Sequence, residues 1–444
     1  MFKIFDSRKR EKVEFIPSKE GRVSFYSCGP TVYNRVHIGN LRAFIFSDLL
    51  YRWLKNGCGY DVKWVMNVTD VDDKTIKGAC GHVDTEKGEV SNVENLSKLS
   101  SFTEKYSKLF FEDLSKVSIE KTSFSALPRA TDYIEEMQNL ILKIIENGFG
   151  YVSDGSVYFD VMKYAEYAKK NGFKYGELGH VDFDNMKETE RVEEDNFDTQ
   201  SKFDFVLWKA KKQGEPFWGF DIVDKKNGEV VSCDGRPGWH IECSAMEKSL
   251  FEDYPFDIHS GGVDLCFPHH EDEIAQSRAG YGKDPAKYWV HNEHLMIDGK
   301  KMSKSLGNFY TLEDLEEKDF EPEVVRFFLV INSYKKKVNL TDESLSGAKT
   351  MLGRLRKNVL KISECGGFPK FAETKKSKER FEKAMNDDLN TPVAIAEIFG
   401  FMKKMSKMSA LELAKESEDD SLNRKNFVKY VEFVESVFGV NLTA

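Results

Sequence analysis

Residues 22–68 read RVSFYSCGPTVYNRVHIGNLRAFIFSDLLYRWLKNGCGYDVKWVMNV, and the order of elements in them indicates the fold class. Alternating apolar and polar residues predict a strand over Arg22–Cys28. After a Gly-Pro loop, apolar residues at helical spacing predict a helix over Asn40–Asn56. A second apolar run predicts a buried strand over Asp61–Val68. A strand, a loop that opens a helix and a returning strand form a βαβ unit, which begins the parallel sheet of a doubly wound nucleotide-binding fold.

Patterns beyond this unit indicate an insertion. Residues 81–100 and 181–200 are polar and predict loops or solvated faces. Between them, apolar residues at helical spacing predict a helix over Asp132–Gly148, capped by Thr131 or Asp132. Val157–Val161 is predicted as a short strand. We interpret this middle region as an insertion and not as a continuation of the first sheet.

The remainder of the chain passes from sheet to helix. Sheet-like patterns run from about residue 231 to a hairpin over Glu293–Met302, whose Asp298-Gly299 pair predicts a tight turn. Residues 311–444 have helical periodicity throughout, with a break at 366–378. A helical region is therefore predicted to follow the sheet.

Composition excludes several classes of protein. Of 444 residues, 40% are hydrophobic and 13% aromatic, which is enough for large cores and excludes a disordered polymer. The net charge of −9 excludes a general nucleic-acid coat but allows a local basic face. The sequence has no run of about 18 apolar residues, and the opening MFKIFDSRKREKVEF lacks a signal-peptide pattern. Seven cysteines, an odd number, do not suggest a disulfide framework. We therefore expect a soluble cytoplasmic protein that does not bind membranes.

The segment His37-Ile38-Gly39-Asn40 lies where the first predicted loop becomes a helix. Backbone N–H groups at a helix N-terminus attract anions, and a histidine beside them adds a donor for phosphate. Taken alone, the pattern favours an ordinary loop histidine before a helix.

A second candidate phosphate segment, Lys301-Met302-Ser303-Lys304-Ser305, follows the predicted hairpin turn. Two lysines in a loop of small residues can close over a triphosphate and neutralise the charge that grows as pyrophosphate leaves. A lysine- and serine-rich loop is more often a solvated turn. That plainer interpretation weakens because both segments occur in one chain with an interrupted nucleotide-type sheet.

Cysteine, histidine and carboxylate residues form a third candidate group, for metal. His269 and Glu273 are four residues apart, so on a helix they share one face. With Cys28 and Cys243 they would supply two thiolates, an imidazole and a carboxylate, which suits tetrahedral zinc. The two cysteines are far apart in sequence, however, and on spacing alone two buried structural cysteines are the simpler interpretation.

Five segments in order resemble one family. They are FYSCGPTVYNRVHIGN (25–40), NVTDVDDK (67–74), GRPGWHIECSAM (235–246), DIHSGGVDLCFPHHEDEIAQS (257–277) and KMSKSLGNF (301–309). Together they resemble the cysteinyl-tRNA synthetases, a family of class I aminoacyl-tRNA synthetases. The resemblance extends from about residue 2 to 350 and continues more weakly through AMNDDLNTPVAIAEI (384–398).

The resemblance implies an α/β fold: a Rossmann-type parallel-sheet catalytic domain split by a connective insertion and followed by a C-terminal α-helical bundle. The implied divisions are 1–123 for the first half of the catalytic domain, 124–225 for the insertion, 226–310 for the second half with the lysine loop, 311–350 for a linking helical region, and 351–444 for a helical tRNA-binding domain. The family's usual small terminal domain is expected to be missing, and tryptophan is absent after Trp289.

The resemblance also implies roles for individual residues. The matching positions are His37, Asn40, Lys301 and Lys304 for catalysis; Gly29, Thr31, His37, Asn40, His259, Asp264 and Lys304 for ATP and the adenylate; Cys28, Thr69 and Trp239 for cysteine; and Cys28, Cys243, His269 and Glu273 for zinc. His270 and Glu271 are expected to support the zinc ligands. The remaining cysteines match no ligand position.

The implied activity is that of a cysteine–tRNA ligase, a monomer. The cysteine carboxylate attacks the α-phosphate of Mg²⁺-bound ATP, and the cysteinyl-adenylate is then transferred to the 3′-terminal adenosine of tRNA(Cys). Zinc would select the thiolate, because the serine hydroxyl is a poorer ligand. Two alternatives are a ligase that transfers cysteine to a small amine through the same adenylate, and an inactive zinc-binding relative.

One departure from the class I signature bears on rate. The first signature normally ends in histidine, whereas this chain has Asn40. An amide keeps a neutral donor but loses the imidazole, so we expect a weakened phosphate contact and an intact reaction.

Overall fold

A computed structural model of the chain describes residues 1–81, 91–181, 203–223, 228–302, 308–364, 367–408 and 420–443. The strands are β1 Lys3–Asp6, β2 Glu11–Glu14, β3 Arg22–Ser27, β4 Asp61–Met66, β5 Gly150–Ser153, β6 Ser156–Phe159, β7 Phe205–Ala210, β8 Asp221–Val223, β9 Val230–Ser232, β10 Gly235–Pro237, β11 Phe256–Gly262, β12 Ala286–Asn292, β13 Leu295–Ile297, β14 Lys300–Lys301 and β15 Val338–Leu340. The helices are α1 Ile38–Arg52, α2 Asp73–Cys80, α3 Asn92–Lys116, α4 Ile134–Glu146, α5 Val161–Lys170, α6 Trp239–Leu250, α7 Glu271–Tyr281, α8 Leu312–Glu317, α9 Pro322–Val330, α10 Asp342–Glu364, α11 Phe371–Asn386, α12 Thr391–Met405 and α13 Asp420–Phe438.

A parallel sheet in the order β12-β11-β3-β4 forms the centre of the molecule. The predicted strand–helix–strand unit is confirmed, because β3 pairs directly with β4 and α1 connects them. Within this sheet, Phe25 stacks on Trp64 with ring centroids 5.6 Å apart. A parallel sheet is covered on both faces, and both rings are buried accordingly.

The helix of this unit begins earlier than predicted. His37 is the N-cap of α1, so the helix starts at Ile38 and not at Asn40. Its C-terminal end continues as a π-helical turn over Trp53–Gly57, close to the predicted end.

The middle of the chain forms a separate antiparallel sheet in the order β10-β7-β6-β5. Helix α4 packs beside it and confirms the predicted helix, but the predicted caps are wrong. Tyr133 precedes α4 without a side-chain cap. Instead, the Thr131 N–H and hydroxyl donate to the buried Asp70 carboxylate at 2.9 and 2.7 Å. A buried carboxylate needs such donors more than a helix end needs a cap.

The prediction of a loop over residues 81–100 is partly wrong, because α3 begins at Asn92. Ser91 caps this helix by accepting the Glu94 N–H at 3.3 Å. The stripe that α3 buries includes Asn95, Leu99 and Thr103, so it is too polar to be recognised from hydrophobic periodicity. Residues 82–90, and 182–200 of the second predicted loop, lie outside the described residues.

The predicted hairpin is confirmed, with β13 antiparallel to β14 and a turn at Asp298-Gly299. Both turn residues have positive φ, 48° and 75°, as a tight hairpin turn requires. The prediction of helix throughout 311–444 is wrong at Val338–Leu340, which pairs in parallel with β13. A strand of three residues is too short to give a period of its own.

Helices α10 to α13 form the predicted C-terminal helical region. The predicted break at 366–378 is shorter in the structure: α10 ends at Glu364 and α11 begins at Phe371, so the lysine-rich stretch 375–378 is helical. Lysine is a good helix former, which explains the difference. Across the described ranges, none of the helices has the length and apolar character needed to cross a bilayer.

Candidate active site

Site residues follow the ends of adjacent parallel strands. Strand β3 leads into Cys28 and Gly29, and β4 leads into Asn67 and Thr69. The Gly29 N–H donates to Asn67 Oδ1 at 2.7 Å, and a Cβ on residue 29 would lie 1.7 Å from the Asn67 carbonyl oxygen. Only glycine allows this approach. The carboxyl ends of parallel strands in such sheets are where ligands bind.

Four side chains from two distant segments converge at this edge. Cys28, His269, His270 and Glu273 each offer one ligand atom, and these atoms all lie within 4.8 Å of one another. Cys28 Sγ is 3.1 Å from His270 Nε2, and His269 Nε2 is 2.9 Å from Glu273 Oε1. The group contains three of the four predicted metal ligands. It also contains His270, which the sequence assigned to a supporting position.

The fourth predicted ligand, Cys243, lies on α6 beside this group. Its Sγ is 3.7 Å from His269 Nε2. Contact with the Cys28 thiol and burial together raise the pKa of Cys243 well above its ordinary value. Burial raises the pKa of Cys28 to about 12. Both thiols would therefore stay protonated at neutral pH unless a cation stabilised the thiolates.

This donor set fits a metal ion. Two sulfurs, two imidazoles and a carboxylate meet here, and all of these side chains are buried except that of Cys28, which is half-buried. Buried charged groups are typically paired or bound to metal. Thiolate, imidazole and carboxylate are the ligands of tetrahedral metal sites in proteins. We therefore regard Cys28, Cys243, His269, His270 and Glu273 as a candidate metal centre.

His269 is oriented by two residues at the start of α6. His240 Nδ1 lies 2.8 Å from His269 Nδ1, and the Trp239 indole stacks on the His269 ring with centroids 4.1 Å apart. With Nδ1 engaged, Nε2 faces Cys243 and Glu273, as a ligand atom must. Sequence reasoning gave His240 no role. Its spacing of three residues from Cys243 was the available signal, because this places both on one helical face.

His259, predicted to lie around the adenylate, is fully buried against the metal centre. Its Nε2 is 2.8 Å from both Glu247 Oε1 and Glu273 Oε2. Burial lowers the pKa of His259, but the two carboxylates outweigh burial and bring the pKa to about 10. The His259 ring thus pairs with Glu273 and holds it in place. Glu247 carries no sequence motif, so sequence reasoning missed it.

Thr69, predicted to lie near the amino acid, is tied to α6. Its hydroxyl donates to Glu242 Oε2 at 2.9 Å and accepts from Asn67 Nδ2 at 3.1 Å. Burial raises the pKa of Glu242 well above its ordinary value. Glu242, which sequence reasoning also missed, therefore joins Thr69 to the helix that carries Trp239 and Cys243.

The first predicted phosphate segment lies next to Met302 of the second and to Phe309 beyond it. His37 caps α1, and its Nδ1 accepts the Asn40 N–H at 3.2 Å. The His37 ring meets Phe309 edge-on at 5.0 Å. A Cβ on Gly39 would lie 2.9 Å from His37 Nδ1, which is too close, and 3.6 Å from the Met302 methyl carbon, which is an ordinary contact distance. Glycine at this position therefore makes room for the His37 ring, and Met302 lies next to it.

The other predicted residues differ in accessibility. Asn40, Asp264 and Lys301 are exposed, at the start of α1, in the turn after β11 and on β14 respectively. Thr31 is half-buried and forms an isolated parallel bridge with Thr69. Lys304 and the two serines of its loop lie outside the described residues.

Comparisons with known proteins identify the family. Residues 14–350 match the family described as "tRNA synthetases class I (C) catalytic domain", and residues 380–442 match the "DALR domain". A cysteine–tRNA ligase from Brachyspira hyodysenteriae is 39% identical over 446 residues, covering 98% of this chain and 85% of the relative. The chain belongs to the cysteine–tRNA ligase family. Relatives of that name from Listeria monocytogenes (40% identical, 99% of this chain and 87% of the relative) and Acinetobacter baylyi (39%, 91% and 79%) agree.

Solved structures are consistent with the fold of the cysteine–tRNA ligase family. A Mycobacterium tuberculosis methionyl-tRNA synthetase in complex with methionyl-adenylate aligns with a TM-score of 0.60 at 14% identity, over 94% of this chain and 89% of that one. A leucyl synthetase (LeuRS) ternary complex from Agrobacterium radiobacter aligns with a TM-score of 0.63 at 11% identity, over 96% and 85%. The predicted α/β class and class I family are confirmed.

Proposed function

We propose that this chain activates cysteine with ATP as cysteinyl-adenylate and transfers it to the 3′-terminal adenosine of tRNA(Cys). As a cysteine–tRNA ligase family member it is a class I aminoacyl-tRNA synthetase. The observation that carries the proposal is the convergence of two thiols, His269 and Glu273 at the end of β3, the strand that leads on to the His37 segment. Such a site joins selection of a sulfur-containing amino acid to ATP chemistry.

In this proposal Cys28, Cys243, His269 and Glu273 hold one Zn²⁺, with His270 close enough to replace or support one of them. Bound zinc would coordinate the substrate thiolate and discriminate against a hydroxyl. A site that requires a polar contact can reject an analogue lacking it by about 10⁴- to 10⁵-fold. Selection at this level would make editing unnecessary.

The surrounding side chains would position the metal ligands and line the pocket for the substrate. Trp239 and His240 hold the His269 ring, and the His259 ring holds Glu273. Thr69 lies at the end of β4 and is tied to α6 through Glu242. We propose that Thr69 and Trp239 line the cysteine pocket next to Cys28.

ATP would bind across the phosphate segments, with Mg²⁺ on its phosphates. His37, Asn40 and the backbone N–H groups at the start of α1 are proposed to hold the phosphates, together with Lys301 and Lys304. Gly29, Thr31 and Asp264 are proposed to line the adenylate, because they lie at the same edge of the sheet. Because His259 is fully buried, we propose that it does not contact the adenylate directly and that it supports the site by holding Glu273.

We assign a role to each of the ranges predicted from the sequence. We propose that 1–123 and 226–310 form the catalytic domain, that 124–225 is the insertion, and that 311–350 links to a helical tRNA-binding region over 351–444. The antiparallel sheet of the insertion also recruits β10, from the second half, beside β7. We propose a cytoplasmic monomer.

One assay series tests this function against its alternatives. Cysteine-dependent ATP–pyrophosphate exchange should be rapid, and serine should not replace cysteine. In a separate transfer assay, cognate tRNA should be charged with labelled cysteine. Exchange without transfer to tRNA would instead indicate the small-amine ligase, which the comparisons do not support. Absence of exchange would indicate an inactive binding protein and contradict the proposal.

A further inference from the structure

Arg42 is a buried cation on α1, five residues after His37. It is only 4% exposed. Burial lowers its pKa to about 10, against an opposing effect of Glu293, so it remains charged at neutral pH. Among the described residues it forms no ion pair. Its guanidinium donates only to backbone carbonyls: to His294 O at 2.5 Å, Lys336 O at 2.5 Å, Tyr334 O at 3.3 Å and Ser333 O at 3.5 Å.

These carbonyls lie at the bases of two neighbouring strands. His294 directly precedes β13, whose hairpin partner β14 ends at Lys301. Lys336 lies just before β15, which pairs in parallel with β13 from Leu295↔Val338 onward. One guanidinium therefore joins both strands to the helix that begins at the first phosphate segment.

The end of the hairpin and the chain that follows it also meet the start of α1. The Ile38 N–H donates to Tyr310 O at 2.8 Å, and Met302 lies beside Gly39. The base of the hairpin is joined to the chain before β15 by backbone hydrogen bonds, from the Glu293 N–H to Tyr334 O at 2.8 Å and from the Val338 N–H to His294 O at 3.4 Å. Arg42 adds a connection from this base to α1.

We propose that Arg42 is a positioning residue for adenylate formation, which fixes the lysine-bearing hairpin relative to the His37 end of α1. The inference rests on the proposed function. Arginine is needed because its planar fork reaches acceptors on two strands at once, whereas lysine is a single point donor. A displacement of about 1 Å at a reacting group can cost about 100-fold in rate.

The test compares Arg42→Lys with the matched control Arg52→Lys in the full chain. Arg52 lies on the same helix and donates to the carbonyls of Ser118 at 2.5 Å and Ser436 at 3.1 Å and to the Asp48 carboxylate at 2.7 Å, and none of these acceptors belongs to the hairpin. Arg42→Lys should lower kcat for cysteine-dependent pyrophosphate exchange by about 10- to 100-fold and leave KM for cysteine within about twofold. Zinc content should be unchanged. Arg52→Lys should exchange at close to the wild-type rate.

Amide hydrogen exchange supplies a readout that does not depend on activity. Peptides covering 295–301 should exchange faster in Arg42→Lys, and in Arg42→Gln if the lysine variant does not fold, but not in Arg52→Lys. Equal kinetic losses in both lysine variants, or an unchanged hairpin in the Arg42 variants, would overturn the inference. A wild-type chain without cysteine-dependent activity would reject the proposed function instead, and the hydrogen-exchange comparison would still decide the role of Arg42.

Discussion

The imidazole Nδ1 of His37 accepts the backbone N–H of Asn40 across 3.2 Å. The interaction caps α1 and orients the ring, so that the neutral imidazole carries its proton on Nε2. His37 therefore caps the helix in addition to the phosphate contact that we propose for it. The Asn40 side chain is exposed, and we propose only the phosphate contact for it.

We therefore expect His37→Ala to slow ATP–pyrophosphate exchange much more than Asn40→Ala. His37→Asn separates the two tasks, because asparagine is a good N-cap but lacks the imidazole. It should restore thermal stability without restoring rate. Asn40→His should change the rate by no more than about tenfold, or about 1.4 kcal/mol. Steady-state exchange at saturating ATP measures all four variants, and an Asn40→Ala loss equal to that of His37→Ala would show that the division of tasks is wrong.

The metal centre should hold one zinc ion per chain through dialysis. Cys243→Ser and His269→Ala should lose it, because each removes a donor from a closed set. Glu273→Gln should weaken binding less, since its amide oxygen remains a possible ligand. Cys58→Ser is the matched control, because Cys58 lies at the end of the π-helical turn after α1. Metal analysis of the purified variants is the measurement, and retention of full stoichiometry in Cys243→Ser would relocate the site.

Lys304→Ala should slow adenylate formation by roughly 2–4 kcal/mol in activation free energy, because less charge stabilises the departing pyrophosphate. Zinc content should not change. Lys300→Ala, on the exposed outer strand of the same hairpin, should have little effect. Pre-steady-state formation of the adenylate distinguishes the two, and normal rates in Lys304→Ala would contradict the assignment of the loop.

A buried ion pair should dominate the stability of the junction between α1 and the C-terminal helices. Arg326 and Asp48 are both fully buried, with Arg326 Nη2 2.5 Å from Asp48 Oδ2. Arg326 also donates to Val117 O and Phe438 O, each at 2.7 Å. Arg326→Met would leave the buried Asp48 carboxylate with only Arg52, at 2.7 Å, as its ion-pair partner among the described residues, and would leave two carbonyls without this donor. We expect the substitution to cost about 3–5 kcal/mol.

The control for that pair lies on the surface. Lys12 and Asp387 pair at 2.6 Å, but both side chains are about half exposed. Lys12→Met should therefore cost less than about 1 kcal/mol. Thermal unfolding of both variants gives the comparison, and a similar loss of stability in the two would contradict the burial argument.

Short-range sequence patterns were sufficient to predict the first βαβ unit and the pairing of His269 with Glu273 in the candidate site. The alternation in Arg22–Cys28 and the periodicity after His37 depend only on local geometry, so they could be recognised directly. The four-residue spacing of His269 and Glu273 places both on one face of the chain for the same reason. The ligand set was then narrowed by resemblance to the family and not by spacing, because Cys28 and Cys243 are separated by most of the catalytic domain.

The other features of the fold and the site depend on contacts between residues far apart in sequence, which no local pattern predicts. Helix α3 buries polar residues, and Val338–Leu340 is a strand only because β13 pairs with it. His259 is turned from the expected ligand cleft into the core by Glu247 and Glu273, which are neighbours only after folding. Arg42 looks like any helix-surface arginine in the sequence. Its role emerges when two strand ends bring their carbonyls to it, because a buried guanidinium must find acceptors wherever the tertiary structure places them.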